Sequence, residues 1–117
     1  MIPASEIYAG LQHFADGSKL DNGVGAPGAF VSNLVTAIYN IADTMHRSRE
    51  LAAQIMADQL LFEGRRLMSA YIGTDDVHQR NRSIRFRIDD IRKLLKAPVF
   101  LEAEKKELAA VMERCIF

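Results

Sequence analysis

From Ala29 to Ile72 apolar side chains recur at helical spacing without a single proline, and the run stops at Gly73. At about 100° per residue, Asn33, Thr36, Asn40, Asp43, Arg47, Gln54, Asp58, Arg65 and Ser69 fall on one polar face roughly 80° wide. Leu51 and Leu61 interrupt that face without erasing it. The apolar side carries Leu34, Ile38, Ile41, Met45, Ala52, Met56, Leu60 and Leu67. Because the phase survives the polar stretch from His46 to Glu50, the pattern predicts one helix over 29–72. A bend near 46–50 is the alternative.

A helix of that length creates a problem of cover. About 44 residues at about 1.5 Å rise would reach roughly 66 Å, whereas a compact chain of this size has a radius of gyration of only about 13 Å. A straight helix overhangs its own domain, so a bend, a second copy or a foreign partner must cover the apolar side. The expected arrangement is a homodimer built on Leu34, Ile38, Ile41, Met45, Ala52, Met56, Leu60, Glu63 and Leu67. Glu63 belongs in that set because it falls on the apolar side together with Gln59 and Arg49, where an unpaired charge is costly to bury. Arg66 can reach it at a spacing of three. Such residues either mark uncovered points or pair across an interface and fix its register. Ala52, Ala53, Ala57 and Gly64 would let a neighbouring helix approach closely.

The flanking segments complete an all-α reading. Ile7, Leu11 and Phe14, followed by Gly17, predict a short helix over about 4–15. Turn formers then dominate 16–28, including Asp21, Asn22, Gly23, Gly25, Pro27 and Gly28, and predict the one long loop. Thr74 and Asp75 are suitable caps for a helix over about 76–96, whose stripe is Val77, Ile84, Ile88, Ile91 and Leu95. A strand through Ile84, Phe86 and Ile88 competes with it, but no second strand exists to pair with. Pro98 separates that helix from a last one over about 99–115, with Leu101, Leu108, Val111, Met112 and Cys115 on one face. The expectation is a single domain over 1–117, a small bundle of about four helices with one unusually long.

Composition narrows the function classes. Apolar residues at 49% and charged residues at 26% describe a chain that folds. Fifteen basic residues balance fifteen acidic ones, so any binding to nucleic acid or to an acidic partner must come from a local patch. The lone Cys115 excludes an internal disulfide and reads as a small core residue. No basic leader followed by an apolar run opens the sequence, and nothing approaches the roughly 18 consecutive apolar residues of a membrane span. A cytoplasmic location without membrane contact is expected.

Several motifs fail on context. Gly23 to Gly28 spell G-x-G-x-x-G, but no buried strand precedes them and Pro27 removes an amide that could face a phosphate. His46 and Glu50 stand four apart, yet two ligands are too few for a metal site. Asp75 with Asp76, and Asp89 with Asp90, are adjacent and so point to different helix faces; the second pair is expected to meet nearby bases. No nucleophile with a base beside it can be assembled, so neither an enzyme nor a cofactor is expected.

One charge feature is left. Arg80, Arg82, Arg85, Arg87, Arg92, Lys93 and Lys96 crowd one segment, offset within it only by Asp89 and Asp90. Arginine forks suit phosphate, and the same side chains suit an acidic protein. The sequence therefore reads first as a non-enzymatic protein–protein interaction module, an adaptor, assembly factor or inhibitor acting through helix packing. A nucleic-acid binder using the 80–96 cluster is the alternative.

Overall fold

A computed structural model describes residues 27–115, and these form four helices and no strand. The expected helix over 4–15 and nearly all of the expected loop over 16–28 lie outside the described residues. Helix α1 spans Pro27–His46, α2 Leu51–Ile72, α3 Val77–Leu94 and α4 Glu102–Met112. The all-α expectation is therefore met among the described residues, and the short strand at 84–88 is instead part of α3. No described helix is long and apolar enough to cross a membrane.

The single long helix over 29–72 is not what forms. The chain leaves the helix after His46 and re-enters one at Leu51, making helices of 20 and 22 residues that lie against each other. The reason is the missing cover: the longest dimension of the fold is 41 Å, well short of the roughly 66 Å of a continuous helix. Folding back at the one stretch with no apolar residue lets each half bury the stripe of the other. The link is held by local bonds. Arg47 and Ser48 amides donate to the Thr44 and Met45 carbonyls at 3.2 and 3.1 Å, tightening the last turn of α1. The Glu50 amide donates to Ser48 Oγ at 3.1 Å, and Gln54 Nε2 donates to the Ser48 carbonyl at 2.8 Å. His46 Nε2 then meets Asp58 Oδ1 at 2.7 Å, joining the end of α1 to the second turn of α2.

The shared polar phase across the link misled because each helix takes its phase from what it buries. In α2 the buried side includes Ala53, Ala57, Leu61 and Gly64 beside Leu60 and Leu67. That face is turned by roughly 80° from the one α1 buries.

The core gathers Val31, Leu34, Val35, Ile38, Ile41 and Met45 from α1 with the buried face of α2. Ile84, Ile88 and Ile91 close it from α3, and Leu108 and Met112 from α4, with Phe100 filling the connection before α4. Helix α2 packs between α1 and α3, while α4 lies on α1. Cys115 rests half-buried against this core. The ends of the helices follow ordinary capping chemistry. Pro27 opens α1, where a missing N–H is not needed. Asp76 caps α3, one residue later than expected, accepting from the Gln79 amide at 3.1 Å. Helix α4 starts at Glu102 and not at 99, with Glu104 Oε1 accepting from the Leu101 amide at 2.8 Å.

Candidate functional site

The residues expected to form a dimer interface are distributed by the hairpin. Leu34, Ile38, Ile41, Met45, Leu60 and Leu67 lie in the core of a single chain. Ala52 is exposed and Met56 half-buried, because the turn of α2 moves them to the rim. The same turn brings other apolar side chains outward. Leu51 is 69% exposed, Ile55 45% and Phe62 42%, a stripe spaced by four and seven residues along the outer side of α2. A lone exposed leucine needs no explanation, but three large apolar side chains aligned on one helix form a patch. The spacing was legible once Leu51–Ile72 is read as a helix with its own phase.

Glu63 goes the other way. It is only 9% exposed and lies between α2 and α3. Arg66 Nη1 donates to its Oε1 at 3.0 Å, the pair expected from the spacing, while its Oε2 is buried without a hydrogen-bond partner. Burial pushes the Glu63 carboxyl above its ordinary range; Arg66 and Arg87 oppose the shift and Asp90 adds to it. Within α3, Arg87 Nη1 donates to Asp90 Oδ2 at 3.3 Å.

Arg66 and Arg87 line an open groove between α2 and α3 of about 500 Å³. Its lining is Phe62, Arg65, Arg66, Ser69 and Ala70 from α2 with Ser83 and Arg87 from α3. Three guanidinium groups and two hydroxyls thus share one depression. Sequence reasoning missed it, since Arg65 and Arg66 are far along the chain from Ser83 and Arg87. A second groove of about 410 Å³ lies between the end of α3 and α4, where Arg92, Lys96 and Lys105 are joined by Glu113.

The basic cluster of α3 is divided among these surfaces. Arg80 stacks over the Tyr71 ring at 5.1 Å and is turned toward α2. Arg87 enters the first groove, and Arg92 the second, where its Nη1 also donates to Asp89 Oδ1 at 3.5 Å. Asp89 and Asp90 do meet nearby arginines, as expected. Arg82, Arg85 and Lys93 are exposed on the outer side of α3. Phe86, 61% exposed, stands among them. His46 Nε2 is engaged by Asp58.

No protein-family model matches this chain, and no curated protein or solved structure matches it either.

Proposed function

We propose that this protein is a non-enzymatic interaction module that binds an amphipathic, acidic segment of a partner protein along the outer side of α2. The observation that carries this reading is the exposed stripe of Leu51, Ile55 and Phe62, which leads into arginines at 65 and 66. An apolar stripe flanked by cations suits a helix whose own apolar face is edged with carboxylates. Most side chains of the 29–72 stripe are buried within one chain, which favours the outer stripe of α2 over that stripe as the docking surface.

A second reading, nucleic-acid binding, is favoured by one observation: Arg82, Arg85 and Lys93 share the outer side of α3 with the exposed Phe86. A base could stack on that ring while the cations meet phosphates.

Affinity capture from native lysate separates the two. A protein partner that survives nuclease, is retained by Arg82→Glu and is lost with Phe62→Arg supports docking on α2. Capture abolished by nuclease and by Arg82→Glu, with Phe62→Arg unaffected, overturns it in favour of nucleic acid. Light scattering at tens of micromolar is expected to give a monomer; a dimer that Phe62→Arg dissociates would make a second copy the occupant.

A further inference from the structure

We infer that the groove between α2 and α3 is a phosphate-group site that takes a small phosphomonoester. This goes beyond the docking of a partner segment, with which the groove shares Phe62, Arg65 and Arg66, and its test does not require that docking. Three features of the groove lead there.

The first is its donor set. Arg65, Arg66 and Arg87 line it with the hydroxyls of Ser69 and Ser83, and no carboxylate residue is among the lining. A guanidinium has five N–H donors. Arg66 and Arg87 each give one to a carboxylate, Glu63 and Asp90, at 3.0 and 3.3 Å, and keep the rest. Those carboxylates fix the two guanidinium groups from one edge, so less side-chain freedom is lost when an anion arrives. No ion pair of Arg65 occurs among the described residues. Three cationic forks with two hydroxyls suit the dianionic charge and the three terminal oxygens of a phosphomonoester better than the single charge and two oxygens of a carboxylate.

The second is the wall. Phe62 and Ala70 give the groove an apolar side, which suits the organic part of an ester better than free phosphate. The adjacent groove at α4 lacks this combination, because Glu113 stands in its lining.

The third is charge balance. Arg65, Arg66 and Arg87 against Glu63 and Asp90 leave one net positive charge, so a bound dianion leaves one negative charge in excess. Glu63 is the group placed to remove it. It is buried, one of its oxygens lacks a partner, and the charged groups that face it are Arg66 on its own helix with Arg87 and Asp90 on α3. The charges of α1 lie at the hairpin end, where His46 meets Asp58. An anion that draws Arg66 toward the groove weakens its bond to Glu63 and favours protonation of that carboxyl. Ligand binding is therefore coupled to uptake of a proton at Glu63, and the carboxylate competes with the ligand.

Titration calorimetry and amide NMR with phenyl phosphate test the site on the full chain. The expected result is one site, with shifts at Phe62, Arg66, Ser69, Ser83 and Arg87. Arg66→Gln and Arg87→Gln should each weaken it about tenfold, as loss of a charge-assisted hydrogen bond does, while Arg82→Gln on the outer side of α3 leaves it unchanged. Glu63→Gln should tighten binding, and the ratio of its affinity to that of the unsubstituted chain should grow from pH 5 to pH 8. Comparing the two proteins at each pH cancels the ligand's own titration. Unfolding midpoints within a few degrees of each other establish that the variants fold. Binding that ignores both Arg66→Gln and Arg87→Gln overturns the site, as does an absence of shifts at these residues at ten millimolar ligand. Tightening by Glu63→Gln that is the same at every pH overturns the proton coupling. A short DNA duplex that binds more tightly than phenyl phosphate and shifts the same residues would replace the small ligand by a nucleic-acid backbone.

Discussion

Helices α1 and α2 have nearly the same length and face each other across one hairpin, yet they treat their side chains differently. In α1 the buried positions are apolar apart from Ser32, and Asn33, Thr36 and Asn40 face outward. In α2 the rule is broken twice: Glu63 is inside, and Leu51, Ile55 and Phe62 are outside. A chain whose local choices all agree with its fold is serving stability, while departures from that agreement concentrate where something else is selected. By that criterion α1 reads as scaffold, and α2 is where the proposed working surface is placed. Helix α3 supports the division, since its buried Ile84, Ile88 and Ile91 are ordinary core while Ser83 and Arg87 complete the groove.

The comparison breaks most visibly in α1. Ile38 is fully buried, and Ile38→Ala is expected to cost about 2–5 kcal/mol in urea unfolding, the usual range for a cavity left in a packed core. A cost below about 1 kcal/mol would mean that α1 is not the scaffold. Glu63→Leu should act in the opposite sense. It removes a buried carboxylate with an unpartnered oxygen, and a well-packed apolar replacement is expected to gain about 1 kcal/mol at neutral pH. A loss there would show that the Glu63 and Arg66 pair holds α2 to α3.

The dependence on pH sharpens the same point. Glu63 is raised above its ordinary 4.5 in the folded chain, so the native state retains a proton that the unfolded chain has released. Its contribution to stability is full below pH 4.5 and falls as pH rises through the native value. The stability difference between the parent and Glu63→Gln should therefore move against the parent over that window. A difference that stays constant from pH 4 to pH 8 would place the carboxyl in an ordinary environment. The smallest effect belongs to the outer stripe of α2: Phe62→Ser is expected to change stability by no more than about 0.5 kcal/mol. A larger loss would make Phe62 part of the core and remove it as a docking residue.

Much of this molecule is visible in local pattern. The all-helical class, the stop at Gly73, the break around Pro98, the isoleucine stripe of α3 and the pairing of Glu63 with Arg66 all depend on residues within a turn or two of one another. Periodicity reports such short-range relations directly, because one helical turn spans only a few residues. The polar run from His46 to Glu50 was equally visible, but its consequence was not. Whether a chain bends at such a run depends on what would otherwise cover the apolar stripe, and that is a property of the whole fold.

The interface residues show the same boundary. Leu34, Ile38, Ile41, Met45, Leu60 and Leu67 were identifiable as apolar contact positions, and they pack in the core of one chain. Packing in three dimensions turned α2 by roughly 80°, sent Phe62 outward, and brought Ser83 and Arg87 beside Arg65 and Arg66. No periodicity within a helix carries that information. The angle at which two helices meet is set by long-range contacts among side chains far apart in the chain, and the groove exists only where two such helices run side by side.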